Sequence, residues 1–421
     1  MIWNRLKLKT IVQILFTFSL VASEGAVAVA QITLEQALQR EGVQQALKDI
    51  DSRRAAIAQS LVEIGGIISP SGKEHRRAEA VADRMKAMGL AEVRVDETPN
   101  AIGMIPGRSG KAVIFVATLD DLATVATHQK EAGTMPRIEG DRVIGPGTNT
   151  SLVTSAMLAA AEALKKNGIT PEHDLIFAAV AQEETGLIGM KKIYETYKDR
   201  AVGFIDILGD GQSISYGAIV IHWWKVIASG PAGHSLRGGL PNVNQAIGRS
   251  VDQILQLPHP KEYVEERAVI NISMLNSGAV FNHKPETGWF SLDVRSMEAT
   301  IVEDIEGQVA EILKQVALDT QIELRMEPFQ LTPGGQIPGA RESTIVTTAE
   351  AISKHLGVEE VRVSNMGSSN MNVAIGGGTP AIGLGGGRGG QRGYPDEWAD
   401  IPVMIRAAKH ILLLAATLGG E

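Results

Sequence analysis

Two adjacent carboxylates, Glu183 and Glu184 in the segment AVAQEETGLIGM, stand out as side chains able to take up protons or hold a divalent cation. The apolar run before them, 175–181, reads as a buried strand, and Gly186 opens the turn into a helix. Both carboxylates then fall at the carboxyl edge of a sheet, where open α/β sheets place their ligand clefts. The 421 residues include no cysteine, which excludes disulfides and thiolate metal sites and leaves His, Asp and Glu as the only strong metal ligands.

The elements that must position this pair follow from periodicity. A long helical stretch, 34–64, and a second helix, 74–88, precede short strands at 93–96, 101–105 and 112–117; an apolar helix, 151–166, begins just after GPGTNT. Strands alternating with helices predict a layered α/β sandwich. Near Tyr216 the pattern changes to strand 219–229, helix 244–256, strands 269–275 and 287–295, helix 300–318 and strand 322–326, a ferredoxin-like split order. Pro333-Gly334-Gly335 then reads as the return hinge. The expected organisation is an export signal at 1–30, a first sandwich part at 31–217, an inserted domain at 218–332 and a second sandwich part at 333–421.

Hydrophobic side chains make up 44% of the chain and charged ones 21%, enough to bury about two cores. A net charge of −8 with scattered basic residues gives no footprint for nucleic acid. Arg5, Lys7 and Lys9, an apolar run at 11–22 and Ala28-Val29-Ala30 before Gln31 predict a signal cleaved after Ala30. That run is about a dozen residues, short of the ~20 that cross a bilayer, so export to a periplasm or the medium without a stable membrane anchor is expected.

Together VIFVATLDDL, GPGTNTSLVTSAMLAAAEAL, AVAQEETGLIGM, LGDG, ASGPAGHS, FNHKP, SLDVRS, GSSNMN and GYPDEW follow one family's motif order along nearly the whole chain. The sequence resembles the zinc aminoacylase, glutamate carboxypeptidase, peptidase T and acetylornithine deacetylase family. The resemblance implies a three-layer αβα metallopeptidase-like sandwich carrying two metals, with an inserted ferredoxin-like α+β lid and dimerisation domain. Two such ions polarise an amide carbonyl and generate hydroxide. It places Glu183 as general base, Asp120 beside the metals, and Glu184 and Asp210 at ligand positions, with Asp206 an alternative to Asp210. The remaining ligand positions hold Thr118, Thr150 and Gly393, and Asn370 stands where relatives often carry Asp. A hydroxyl is a poor zinc ligand and glycine has no side chain, so no tightly bound cofactor is expected, and zinc or another divalent cation only if the protein is active. Arg392, next to Gly393 and with Arg388 in the same loop, reads in two ways: as a guanidinium that replaces a lost metal by pairing with Glu184, or with Arg388 as two solvated arginines on a glycine-rich loop. For substrate binding the resemblance implies His234, Asn282 and Arg295, while Trp223 and Trp224 read as packing.

These expectations combine into a homodimeric, exported protein that binds small peptides or N-acyl amino acids with little or no cleavage. Two alternatives stay open: a peptidase or amidohydrolase working with one atypically held ion, and a dimeric scaffold with a vestigial cleft.

Overall fold

The structure, a computed structural model, describes residues 32–239 and 241–420. The expected export signal lies outside the described residues. An eight-stranded sheet runs in the order Ala91–Val95, Ala101–Ile105, Asp174–Val180, Ala112–Thr118, Ala201–Ile207, Ala381–Gly385, Ser213–Ser215 and Arg362–Ser364. Its four central strands, from Asp174–Val180 to Ala381–Gly385, are parallel. Their unbroken apolar runs follow from burial on both faces. Val113, Phe115 and Ala117 join the core beneath the helices Thr148–Lys166 and Ile401–Leu418, while Ile114 and Val116 meet Ile188–Tyr197 and Met371–Gly376. The result is the expected three-layer sandwich, with the carboxyl ends of the central strands open to a cleft.

The stretch 34–64 is not one helix but three, Leu34–Gln39, Glu41–Ser52 and Arg54–Gly65. Arg40 is extended and Arg53 leaves helical geometry, so successive helices turn to follow the surface made by Thr148–Lys166 and Ile401–Leu418. Neither break carries a glycine or proline, the residues that mark such turns in a sequence. Ile401–Leu418 is apolar and long enough to cross a membrane by composition, yet most of it is buried in the sandwich. Asp400 caps its first turn by accepting from the Val403 N–H.

Ala218 and Gly335 pair in an isolated antiparallel bridge where the chain enters and leaves the inserted domain. Its sheet runs Val269–Asn271, Thr287–Ser296, Val220–Ser229, Glu323–Thr332, all antiparallel. The first and third strands in chain order are central and the second and fourth lie outside, the ferredoxin-like arrangement. Val243–Leu255 and Ala299–Thr320 cover one face. The last strand, expected at 322–326, continues to Thr332 because a bulge between Pro328 and Gln330 carries it past a proline that cannot donate to the ladder.

Candidate active-site cleft

The turn carrying the acid pair is built around Asp120. This buried carboxylate follows the strand Ala112–Thr118 and accepts from the Glu183 N–H at 2.9 Å, the Glu184 N–H at 3.1 Å and Ser71 Oγ at 2.6 Å. Glu74, also buried, accepts from the preceding Gln182 N–H at 3.1 Å. Three successive amides thus form a nest filled by the protein's own carboxylates. Gln182 (φ 56°), Gly186 (φ 113°) and Leu187 (φ 59°) all adopt left-handed geometry, and the two non-glycines hold it at a conformational cost. Asp120 uses three of its roughly four acceptor sites inside the fold. In this arrangement it orders the turn and has little capacity left for a cation.

The turn faces a cleft of about 410 Å³ between the sandwich and the inserted domain. Thr118, Thr150, Glu183, Glu184, Arg388 and Arg392 line the sandwich side, and Trp223 and Arg295 the other. Arg392 donates a hydrogen bond to Glu184 Oε1 in a short ion pair. Gln391 (φ 55°) and Gly393 (φ 85°) are left-handed on either side of Arg392, so its presentation depends on a bent loop. Arg388 lies within electrostatic reach of Glu183, Asp206 and Glu184, and among the described residues its side chain has no hydrogen bond or ion pair. Burial, and then Arg392, lower its pKa from the ordinary guanidinium value.

Burial pushes the Glu183 carboxyl up to about 8, with Glu184, Asp206 and Asp120 acting in the same direction and Arg392 against them. The folded protein therefore holds this proton more tightly than the unfolded chain, whose carboxyl titrates near 4.5. The stability contributed by the bound proton is complete below the unfolded value and is lost as pH rises toward 8. Glu183→Gln removes this titration. It should raise stability relative to the parent by about 1–3 kcal/mol between about pH 5 and pH 9, after discounting for the partly exposed carboxyl. Melting temperatures of both proteins across that range test this, and a difference that does not change with pH would contradict it.

Asp210 is not a cleft residue. The strand ends at Ile207, and Asp210 turns back into the protein, where its Oδ2 accepts from Arg406 Nε at 2.8 Å and Gln212 Nε2 at 3.1 Å. Asp206, buried and not itself in the cleft wall, is the acid joined to it through Ser369 and Asn370. The Asn370 side-chain amide donates to its Oδ1 at 3.4 Å and to Thr118 Oγ1 at 3.3 Å, joining two of the sequence-predicted positions. Burial raises the Asp206 pKa against the pull of Ser369, the Met371 N–H and Asn370.

Arg295 reaches the cleft, but its guanidinium is already paired with Asp293, Nε to Oδ1 at 2.9 Å and Nη2 to Oδ2 at 3.0 Å. Asp293 also accepts from Trp223 Nε1 at 3.0 Å. His234 and Asn282 are together but outside this cavity: Asn282 Nδ2 lies 3.1 Å from His234 Nε2, and both side chains are exposed. Gly233 and His234 pair there with Lys284 and His283, so this two-stranded ribbon of segments distant in sequence holds two of the three expected recognition residues outside the cavity that Arg295 lines. Trp223, expected to be packing, faces the cleft, whereas Trp224 donates from Nε1 to Glu306. Adjacent residues on a strand point to opposite faces, which the doublet alone does not resolve.

Sequence reasoning missed Glu397. Fully buried, it accepts from the Gly147 and Asn149 N–H groups at 3.0 and 2.9 Å through Oε1 and from the Gly393 N–H at 2.9 Å through Oε2. It thereby ties the start of Thr148–Lys166, which carries Thr150, to the arginine loop. Its presence in GYPDEW was the available signal, but not what it binds.

The sandwich and its inserted domain define a metallopeptidase-type fold. A family model, described as peptidase family M20/M25/M40, matches residues 123–417, well over half of the chain, and the protein belongs to that family. Aminopeptidase PepT from Bacillus cereus is 16% identical with a TM-score of 0.71, the alignment covering 87% of this chain and 98% of that one. The Bacillus subtilis YXEP protein, described as a dinuclear metal-binding M20 peptidase, is 13% identical with a TM-score of 0.65 over 87% and 99% of the two chains. Human carnosine dipeptidase 1 is 13% identical with a TM-score of 0.62 over 90% and 99%.

The residues present do not fit two metals of the kind that the YXEP protein is described as binding. Among the described residues no three His, Asp or Glu side chains gather to hold an ion. Glu184 is taken by Arg392, Asp120 by the turn amides and Asp210 by Arg406.

Proposed function

We propose that this is an exported, homodimeric M20-family protein that binds small peptides or N-acyl amino acids and cleaves them little or not at all. The observation carrying this reading is the guanidinium of Arg392 on Glu184, with Arg388 beside it, at the mouth of the acid turn. Fixed cations there serve a ligand carboxylate without a metal, because charge-assisted hydrogen bonds to arginine are strong and directional. With its pKa near 8, Glu183 is mostly protonated at neutral pH, so it does not repel such a ligand and can donate to it. The inserted domain supplies Arg295 and Trp223 from above, and the exposed His234–Asn282 pair is available to a second subunit of a dimer.

Isothermal titration with N-acetylglycine and a small peptide panel tests the reading. Arg388→Ala is expected to weaken carboxylate ligands by about tenfold to a hundredfold, the loss of one charge-assisted contact. Zinc- or manganese-stimulated hydrolysis of the same compounds, abolished by Glu183→Gln, would contradict it and establish a working hydrolase.

A further inference from the structure

The inserted sheet leaves one face without helices. Along Thr287–Ser296, Phe290, Leu292 and Val294 point to the core, whereas Trp289, Ser291, Asp293 and Arg295 alternate onto the uncovered side. Trp223 and Lys225 share that side on the neighbouring strand, the ammonium of Lys225 lying 4.9 Å from the Trp289 ring centre. In the last strand, Phe329 is the extra residue of the bulge: Pro328 pairs with Trp224 and Gln330 with Trp223, leaving Phe329 outside the register. Phe329 is 73% exposed and Met274 55%. These side chains form a groove of about 570 Å³ that shares Trp223 and Arg295 with the arginine-lined cleft.

We infer that this groove holds the extended apolar acyl arm of a ligand whose carboxylate sits at Arg388 and Arg392. The inference rests on the binding function proposed above and deepens it. Continuity and charge carry the argument. The cations line one cavity, the aromatic side chains line the other, and Trp223 and Arg295 are common to both. Each cavity has the volume of an ordinary small-molecule site, and the residues they share make a polar and an apolar compartment adjacent. An exposed Phe and Met beside two tryptophans form an apolar patch of the kind that marks a binding surface. Phe329, the extra residue of the bulge, has no partner in the register and lines the groove.

The test is calorimetric titration of the intact protein with N-acetylglycine, N-octanoylglycine and the uncharged N-octanoylglycinamide, repeated in Phe329→Ser with Trp289→Ala. Octanoylglycine should bind at least about tenfold more tightly than acetylglycine, since several methylenes leave water. The double variant should lose that gain while keeping acetylglycine affinity and an unchanged melting temperature. Equal affinities for the two acids, or a gain that survives in the double variant, would overturn the inference while leaving the cleft reading intact. Equal binding of octanoylglycine and its amide would keep the groove but defeat the carboxylate assignment. Binding by none of the three would overturn the inference. So would an apolar tripeptide showing the groove dependence in place of the acyl series, or conversion of a dimer to a monomer by the double variant, which would assign this face to a second copy.

Discussion

Arg77→Met is expected to lower folding stability by about 3–5 kcal/mol, because it strands a buried carboxylate. Arg77 is 1% exposed and sits in the helix His75–Ala87, from which Nη2 donates to Asp121 Oδ2 at 2.6 Å and Nη1 to the Leu119 carbonyl at 2.8 Å. A further bond to the Ile67 carbonyl ties in the loop after the third helix. Asp121 is fully buried, and even beside Arg77 burial raises its pKa to about 6. Without the guanidinium that carboxyl must take up a proton, so the variant's deficit should be larger at about pH 8 than at about pH 5. Asp120 is the adjacent residue, so loosening this clamp also slackens the nest that orders Glu183 and Glu184. Denaturant unfolding at both pH values provides the measurement. Adding Asp121→Leu should recover part of the loss, and no recovery would place the cost in the carbonyl contacts instead.

Rebuilding the ligand positions that the family resemblance assigns to Thr118, Thr150 and Gly393 should have the largest effect on chemistry. Thr118→His, Thr150→Asp and Gly393→His, combined with Arg392→Ala, are expected to raise zinc affinity by at least about a thousandfold. Arg392 matters as much as the ligands, because its ion pair occupies a carboxylate that the metal would need. Retaining it should leave affinity about ten- to a hundredfold lower, the scale of a perturbed metal environment. Space is not the obstacle at Gly393, where an added Cβ would meet nothing closer than 3.9 Å, but its φ of 85° imposes strain of about 1–2 kcal/mol on any other residue. Competition titration with a zinc-binding dye would measure both variants; equal affinities with and without Arg392 would show that the guanidinium does not compete.

The sandwich, the inserted domain and the acid turn were legible because buried parallel strands give unbroken apolar runs and the glutamates follow one of them directly. The Arg392–Glu184 pair was one of two readings the sequence left open, since like charges in a cleft favour a cation but a glycine-rich loop does not say which way its arginines point. Asp206 and Asp210 could not be separated so easily. Asp206 lies within a strand, where register with Val116 puts it on the same face as Thr118, but Asp210 follows the strand end, where alternation no longer governs direction. The roles of Asp120 and Glu397 were illegible for a different reason: both carboxylates bind backbone amides distant in sequence, and those amides leave no residue-type signature. The separation of His234 and Asn282 from Arg295 likewise depends on a two-stranded pairing between segments about fifty residues apart, which no local pattern announces.

The central claim is that a guanidinium, not a metal, balances the carboxylates of this cleft. Elemental analysis of the purified protein after zinc and manganese loading and exhaustive dialysis tests it most directly, alongside Arg392→Ala treated in the same way. Metal content well below one ion per chain is expected in the parent, with no gain from the single substitution, since Thr118, Thr150 and Gly393 still supply no strong ligand. One or two ions retained per chain in the parent would contradict it and return the cleft to metal-dependent hydrolysis.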